Sequence, residues 1–422
     1  MTRLLALPEL EALRSLTVDG WWLMLARVVR LFAYGLLSVI FALYLAEVGL
    51  SQQAIGLMLT LTLVGDAAIS LGITTRADRL GRRRMLLVGA GLMIVGGLVC
   101  GLTSHVLLLG VAAFLGTLSP SGGEVGPFLS IEQAALPQTT SDAARTQVFA
   151  WYNLVGACAA ALGALSGGVA AQVFQHAGLT PLASYRVLLL AYAGLGAVLG
   201  LLCTRLSPAV EVPLRSSAPA TNVVGLHRSR RVVYQLAALF MLDSFAGGLV
   251  VQSLVAYWFH RRFGVDLAML GSIFFGAQLL AGLSALAAAR CAAAIGLLNT
   301  MVVTHLPSNL FLMLVPLMPT LPLAMTMLLL RFSLSQMDVP TRQSYTMAIV
   351  DPDERAAAAG VTAVARTLAS ACAPVVTGVL FSAALWSWPF LVAGGLKSVY
   401  DLALYRSFRA IKPPEERLRA MP

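Results

Sequence analysis

Long apolar stretches alternate with short polar segments along almost the whole chain, and the mean hydropathy is +0.82. A helix that crosses a bilayer needs about 20 mostly apolar residues, and this sequence supplies such stretches repeatedly. The pattern predicts an all-α membrane protein with twelve transmembrane helices. The predicted spans lie near 21–45, 52–73, 85–103, 106–133, 147–172, 184–204, 231–258, 266–288, 295–315, 321–346, 356–384 and 387–406.

Composition supports this class of protein. Of the 422 residues, 58% are hydrophobic and only 11% are charged, whereas soluble globular proteins are about 25% charged. A water-soluble multidomain protein is therefore excluded. Residues 1–20 carry charges of both signs without the apolar core and small-residue cleavage site of a signal peptide, so we expect a cytoplasmic lead-in.

The net charge of +10 could indicate a nucleic-acid partner, but its distribution argues against one. Most lysines and arginines fall in the tails and in alternate connections, and only Arg186, Arg261 and Arg262 fall in connections on the opposite side. This asymmetry follows the positive-inside rule. It predicts a lipid bilayer as the partner, no nucleic acid, a cell (plasma or inner) membrane, and cytoplasmic N- and C-termini.

The five cysteines are scattered over different predicted spans without a paired spacing. Metal sites and disulfides are therefore not expected. No phosphate-binding loop and no Ser/His/Asp constellation is present, and the five histidines mostly fall in loops or at span ends. We expect no cofactor, no metal and no enzymatic activity.

A Pro-, Ser- and Arg-rich linker at 205–230 separates two predicted six-helix halves, 21–204 and 231–406, and a tail at 407–422 follows. The halves repeat one another weakly. Residue pairs displaced by 215 include Gly49 with Gly264, Ser51 with Asp266, Gly56 with Gly271, and Gly81 with Gly296, and pairs displaced by 210 include Gln133 with Gln343, Arg145 with Arg355, and Gly168 with Gly378. Ser51 and Asp266 are predicted helix N-caps. Internal repeats of this kind are typical of secondary transporters.

The loop after the second span reads TTRADRLGRRRMLL at 74–87. It resembles the signature loop of the major facilitator superfamily, G-x-x-x-D-R-x-G-R-R/K. The matching residues are Asp78, Arg79, Gly81, Arg82 and Arg83. Thr74 stands where the first glycine is expected, and a basic inner loop alone would also satisfy the positive-inside rule.

The resemblance implies a fold of two six-helix halves that work by alternating access. It also implies that this loop is an inner-gate latch, with Asp78 facing the N-terminus of the eleventh helix, where the helix dipole favours a negative charge. The second half has Ala293 opposite Asp78, so the latch is expected to be one-sided.

The fifth span carries Gly163, Gly167 and Gly168. These positions resemble the G-P-x-x-G-G pattern of drug–proton antiporters in the same superfamily, although Ala164 replaces the proline. The pattern favours export, and close helix packing through small residues is an alternative explanation.

Charged residues inside the spans identify the candidate transport site, because such a residue costs about 2.5–3.5 kcal/mol at a helix centre on insertion scales. Most of them lie on spans one, four, seven and ten, which the resemblance places around a central cavity. The candidates for substrate or proton binding are Arg27, Arg30, Glu124, Asp243, Arg331, Asp338 and Arg342.

Spacing adds expectations on individual residues. Arg331, Asp338 and Arg342 are expected to share one helix face. Asp243 needs a cation from another helix, such as Arg27 or Arg30, although Arg27 could instead snorkel towards the headgroups. Lys397 and Asp401, four residues apart, are expected to neutralise each other.

The glycine- and proline-rich stretch LSPSGGEVGPFLSIEQ, 118–133, interrupts span four and holds two acids with different expected roles. The resemblance implies that Glu132 pairs with Arg82 and acts in gating. Glu124 lies deeper, where desolvation penalises the charged carboxylate unless an arginine offsets it. We therefore expect Glu124 to alternate between a protonated and an arginine-paired state.

Three functions remain open at this stage. The leading hypothesis is proton-coupled efflux of a small amphipathic compound. The second is uptake or exchange of an organic anion, which Arg27, Arg30, Arg331 and Arg342 could bind. The third, from another class, is a transport-inactive membrane receptor or scaffold.

Overall fold

The structure is a computed structural model that describes residues 13, 16–124, 126–140, 145–211, 227–351 and 354–411, with the backbone alone at 75, 76, 78, 79, 145, 146 and 356. These residues form fifteen α-helices and three short 3₁₀ turns. The helices are α1 (Val18–Glu47), α2 (Gln52–Leu80), α3 (Arg82–Leu102), α4 (Val106–Leu115), α5 (Phe128–Ala135), α6 (Arg145–His176), α7 (Pro181–Thr204), α8 (Arg230–Leu249), α9 (Gln252–Phe263), α10 (Leu267–Ile295), α11 (Leu297–Leu314), α12 (Leu321–Ser335), α13 (Asp338–Ile349), α14 (Arg355–Ser382) and α15 (Trp388–Phe408).

The prediction of an all-α membrane protein is confirmed. By length and composition, the described part of the chain contains nine helical segments that could cross a membrane, one of which joins α8 to α9 as Arg230–Phe263. The other three predicted spans are the interrupted α4–α5 and α12–α13 and the more charged α15, which carries Lys397, Asp401 and Arg406.

Spans four, seven and ten are interrupted. The break in span four agrees with its glycine- and proline-rich stretch, whereas the breaks in spans seven and ten correct their prediction as continuous helices. The gap in span seven follows α8, where Thr377 donates a hydrogen bond of 2.7 Å to the carbonyl oxygen of Leu249. That hydroxyl satisfies a carbonyl freed by the end of the helix, as buried backbone requires. In span ten, Pro340 lies in the first turn of α13, where a missing N–H removes no intrahelical bond.

Contacts divide the chain into two units. Unit 1 comprises Met1–Leu50, Leu61–Ser217 and Gly264–Phe275, and unit 2 comprises Ser51–Thr60, Ala218–Phe263 and Gly276–Pro422. In unit 1, α1 packs against α6 and α7, and α3 packs against α7. In unit 2, α8 packs against α14 and α15, and α11 packs against α12, α13 and α15. The half boundaries at 204 and 231 remain a prediction, since most of the linker lies outside the described residues.

Repeat-related positions have the same local structure. The Ser51 hydroxyl accepts a hydrogen bond of 3.3 Å from the Ala54 N–H, and the Asp266 carboxylate accepts one of 2.7 Å from the Met269 N–H. Both predicted N-caps are therefore confirmed. Gly81 and Gly296 both have positive φ, 102° and 90°, a conformation that disfavours any residue with a Cβ.

The glycines of span five are packing residues. A Cβ on Gly163 would lie 2.0 Å from the Phe32 carbonyl oxygen, and one on Gly168 would lie 2.2 Å from the Leu267 carbonyl oxygen. No side chain fits at these distances, so the glycines allow neighbouring helices to approach closely. The close-packing explanation of this pattern is therefore confirmed within unit 1.

Candidate functional site: two buried ion clusters

The first ion cluster lies in unit 1 and joins α1 to the interrupted span four. Its members are Arg27, Arg30, Glu124, Glu132 and Tyr152. Glu124 accepts hydrogen bonds from the guanidinium of Arg27 and, at 3.2 and 3.3 Å, from that of Arg30. Arg30 also donates to Glu132 at 2.5 and 2.9 Å. Two predicted arginines and two predicted acids thus form one connected network.

The two glutamates differ in exposure. Glu132 is 1% exposed and accepts a further hydrogen bond from the Tyr152 hydroxyl. The Glu124 side chain is 17% exposed. Glu124 is therefore the carboxylate of this cluster that solvent can reach, whereas Glu132 fixes the orientation of Arg30.

Aromatic rings hold both guanidiniums in place. The guanidinium of Arg27 lies 3.8 Å from the ring centroid of Tyr152, and that of Arg30 lies 4.7 Å from the ring centroid of Phe128. Such cation–π contacts stabilise partly desolvated cations. Arg27 is 5% exposed and pairs with Glu124 inside unit 1. It therefore does not snorkel to the headgroups, which was the alternative expectation.

Irregular backbone places Glu124 beside the arginines. Between α4 and α5, Ser119 donates a hydrogen bond of 2.8 Å to the Gly123 carbonyl oxygen, and the Gly126 N–H donates to the carboxylate of Asp66. Asp66 lies on α2 and also accepts a hydrogen bond of 3.1 Å from Ser70. Asp66 is not among the predicted site residues, and its role here is to support the break in span four.

The second ion cluster lies in unit 2. Its members are Asp243, His305, Asp338, Arg342, Lys397 and Asp401. The carboxylate of Asp243 pairs with Lys397 at 2.5 Å and with Arg342 at 3.0 Å. Arg342 also pairs with Asp338 at 2.9 Å. Asp243 therefore takes its cations from other helices, as predicted, but they come from α13 and α15, and the suggested partners Arg27 and Arg30 are wrong.

Lys397 and Asp401 do not neutralise each other, which corrects another prediction. Lys397 reaches across to Asp243 on α8, while Asp401 contacts His305 at 2.9 and 3.1 Å and accepts a hydrogen bond of 2.8 Å from Asn309. The physical reason is that facing helices offer partners within hydrogen-bond distance. An i, i+4 pair on one helix gains only about 0.2–0.5 kcal/mol.

His305 is the residue that sequence reasoning missed. It is buried in the middle of α11, with Nδ1 on Asp401 and Nε2 4.0 Å from Asp243. The histidines were expected mostly in loops or at span ends, and the available signal was the spacing of His305 and Asn309. Both side chains lie on one helix face and contact Asp401.

Arg331 does not join Asp338 and Arg342. Because α12 ends at Ser335 and α13 begins at Asp338, the interval of seven residues no longer keeps one helix face. Within the described part of the chain, the Arg331 guanidinium forms no ion pair, its Nε has no hydrogen-bond partner, and its nearest ring contact is Phe332, 4.9 Å away.

In the predicted latch loop, the side chains of Asp78 and Arg79 lie outside the described residues. The backbone N–H groups of Arg82 and Arg83 donate to the carboxylate of Glu211 at 2.6 and 3.1 Å. The side chain of Arg82 donates to the carbonyl oxygens of Ala134 and Val210. The implied pairing of Arg82 with Glu132 is wrong, because Arg30 and Tyr152 occupy the Glu132 carboxylate.

A similar carboxylate cap occurs in unit 2. Glu354 precedes α14 and accepts hydrogen bonds of 2.7, 2.7 and 2.9 Å from the N–H groups of His227, Arg228 and Ser229, at the start of α8. Desolvation opposes the charged form, but these three donors outweigh it and lower the pKa of Glu354 to about 2. Glu354 is therefore a carboxylate cap of the α8 N-terminus that stays charged at neutral pH.

Two sequence comparisons bear on the family to which this chain belongs. The family model of the Major Facilitator Superfamily matches residues 23–337. The uncharacterized membrane protein YJR124C of Saccharomyces cerevisiae is 30% identical over 413 residues, which cover 91% of this chain and 92% of the yeast protein.

Solved structures share the fold at low identity. The nucleoside transporter NupG superposes with a TM-score of 0.71 at 14% identity, covering 93% of this chain and all of NupG. The D-xylose–proton symporter gives 0.72 at 13% identity, covering 92% and 96%. The human organic anion transporter MFSD10 (TETRAN) gives 0.61 at 16% identity, covering 92% and 100%. The family model and the yeast relative show that the chain belongs to the Major Facilitator Superfamily and is a multi-pass membrane secondary transporter of a small molecule, not an enzyme.

Proposed function

We propose that this transporter exports a small amphipathic compound in exchange for protons, and that Glu124 is the residue that binds the proton. The observation that best supports this proposal is that Glu124 bridges Arg27 and Arg30. Glu124 is also the more exposed of the two acids in the first ion cluster. A proton can therefore reach this carboxylate without unfolding the network.

Charge balance explains how protonation would act. With both glutamates ionised, the two carboxylates offset the two guanidiniums. A proton on Glu124 removes one negative charge and leaves Arg27 without its carboxylate partner in a desolvated setting, which is unfavourable. Glu132 still holds Arg30, so the expected response is confined to Arg27 and to the irregular backbone that carries Glu124.

The remaining assignments follow from the resemblance and complete the proposal. Asp78, Arg79, Gly81, Arg82 and Arg83 form the inner-gate latch, in a cell membrane with both termini cytoplasmic. The direction of transport rests on the resemblance of the span-five glycines to the drug–proton antiporter pattern, although in unit 1 these glycines are also packing residues.

Replacement of Glu124 by glutamine tests the proposal. A thermal-shift screen of purified protein against hydrophobic cations and neutral amphiphiles first identifies a ligand. In proteoliposomes containing a pH-sensitive dye, that ligand should drive a proton flux with the native protein. Glu124→Gln should abolish this flux while ligand binding is retained, because the amide keeps the shape but cannot exchange a proton.

Glu47→Gln is the matched control, since Glu47 is an exposed acid at the end of the same helix that carries Arg27. It should transport as the native protein does. A Glu124→Gln variant with a native proton flux would contradict the assignment of Glu124.

Organic-anion transport is a second candidate, favoured by one observation. Arg331 forms no ion pair with the described residues and has an unpartnered Nε, so its guanidinium is available for an anion. The human organic anion transporter MFSD10 shares this fold. The fold therefore accommodates such a substrate.

For this candidate, Arg331→Ala should weaken the binding of anionic ligands at least tenfold and leave neutral ligands unchanged. Arg366→Ala is the control, because Arg366 is also a cation on a membrane span but donates to Ser244 at 3.2 Å. Equal losses for neutral and anionic ligands in Arg331→Ala would exclude a direct role in anion binding.

A further inference from the structure

A cavity of about 470 Å³ opens at one end of unit 2, and none of its lining residues belongs to the second ion cluster. Its walls come from the last turns of α9, the 3₁₀ turn Val315–Leu317 and the connection between α14 and α15. These segments end spans seven, nine and eleven, so they lie on the same side of the unit. The charge distribution assigns that side to the exterior.

The walls combine indole rings with guanidinium groups. Trp258, Trp386 and Trp388 line the cavity together with Arg261 and Arg262, and none of its lining residues is acidic. Arg261 and Arg262 are exposed. A ligand in this cavity would therefore meet two cations and a broad aromatic surface, with no anion to compete for the cations.

Trp258 forms the buried part of the cavity wall. Its side chain is 1% exposed, and within the described residues its indole Nε1 has no hydrogen-bond partner. Buried indole N–H groups normally find an acceptor. In Trp258 the N–H is sealed by packing, so the indoles that a ligand in the cavity can contact are those of Trp386 and Trp388.

The aromatic walls are fixed by packing. The ring of Trp258 lies 4.8 Å from that of Phe390 and 5.1 Å from that of Phe259, and the ring of Trp386 stacks on Phe381 at 4.7 Å. Ligand sites are usually preformed concavities of about 300–1,000 Å³ with few polar groups. This cavity has that size, and its apolar lining is combined with the polar side chains of Arg261, Arg262 and Ser387.

Tryptophans alone would be ordinary at a membrane interface, but the neighbouring Arg261 and Arg262 and the open cavity between them and the indoles are additional. We propose that the cavity binds an anionic amphiphile: a phosphate monoester or diester joined to an apolar body. The phosphate contacts Arg261 and Arg262, and the apolar body lies against the indoles. This site is separate from the proposed transport site and does not depend on the direction or coupling of transport.

Two sources offer this chemistry, an anionic phospholipid of the outer leaflet and a soluble amphiphilic phosphate. Replacing Trp21, Trp22 and Trp151 by phenylalanine leaves the three cavity tryptophans as the fluorophores, since the chain contains six tryptophans. The protein is then placed in phosphatidylcholine nanodiscs that contain either brominated phosphatidylglycerol or brominated phosphatidylcholine at equal bromine content. For a lipid ligand, the brominated phosphatidylglycerol should quench the fluorescence more strongly.

A second arm uses nanodiscs without bromine and titrates octyl phosphate or inorganic phosphate. A soluble ligand source predicts a saturable fluorescence change with octyl phosphate, a much weaker one with inorganic phosphate, and no extra quenching by brominated phosphatidylglycerol. Either pattern supports the proposal and identifies the source. The absence of a response in both arms would overturn it, and so would equal responses to octyl phosphate and inorganic phosphate.

Charge variants test the role of the arginines. The double variant Arg261→Gln, Arg262→Gln should lose the lipid-specific quenching or the octyl phosphate response, and the double lysine variant should retain it. Arg186→Gln is the matched control, since Arg186 lies on the same predicted side in unit 1, where it donates to Ser104 at 2.7 Å. Because Arg261 and Arg262 are exposed, their replacement should not disturb folding, and size-exclusion profiles of the variants verify this. A response that persists in the glutamine variant would place the ligand elsewhere.

Discussion

At the scale of single residues, the buried charges of both ion clusters are paired with side chains from other helices or from irregular backbone. Arg27, Arg30 and Glu124 were grouped as candidates, and the structure joins them in one network. Lys397 and Asp401 were paired by spacing alone, yet they contact Asp243 and His305. Helix spacing gives the face on which a residue lies, whereas its partner depends on which helices pack against that face.

A double-mutant cycle tests the partners of Lys397. Because Lys397 contacts Asp243 directly and both are buried, Lys397→Met and Asp243→Asn should show a coupling energy of about 1–3 kcal/mol. The measurement is the free energy of unfolding in an SDS titration of the purified variants.

The control cycle combines Lys397→Met with Asp401→Asn. It should show a clearly smaller coupling energy, since Asp401 is occupied by His305 and Asn309. A larger coupling for this second pair would mean that the intrahelical pairing, not the contact with α8, is correct.

At the scale of elements, the apolar pattern located the spans but not their interruptions. Span four showed glycines and prolines, so irregular backbone was expected there. The end of α8 also follows a glycine pair, Gly247 and Gly248, and the freed carbonyl of Leu249 is satisfied by Thr377 on α14. A glycine pair alone does not predict such a break, because the freed carbonyl must also find a hydrogen-bond donor on another helix.

The turn after α14 gives a prediction at this scale. Ala384 has a φ of 60°. Its N–H donates to the Phe381 carbonyl oxygen and the Leu385 N–H donates to the Leu380 carbonyl oxygen, which together form a Schellman motif. This motif usually has glycine at the position of Ala384. The turn after α6 has Gly178 there, with φ of 96°. Left-handed backbone costs about 1–2 kcal/mol for a residue with a Cβ. Glycine avoids this cost, but ordering its more flexible backbone on folding costs about 0.5–1 kcal/mol more than ordering that of alanine.

Ala384→Gly should therefore raise the free energy of unfolding by about 0.5–1 kcal/mol. Ala383→Gly is the matched control, because Ala383 has an ordinary φ of −84°. It should be neutral or destabilising. If both glycine variants lowered the stability equally, the left-handed conformation of Ala384 would not be a source of strain.

At the scale of the whole molecule, the fold could be predicted because it is specified by features spread along the chain. The motif at 74–87 and the repeated glycines identified the superfamily, and Gly81 and Gly296 share a left-handed conformation that explains their recurrence. The substrate could not be predicted in the same way. It depends on a few side chains around the transport site, and proteins with this fold carry nucleosides, D-xylose and organic anions according to their names.

The central claim is that transport is coupled to protons through Glu124. The most direct test measures the internal pH of proteoliposomes that contain the native protein, while a ligand from the thermal-shift screen is added under an imposed pH gradient. We expect protons to leave the acidic side when the ligand is transported, and Glu124→Gln to remove this flux. Ligand transport without any change of internal pH would contradict the claim.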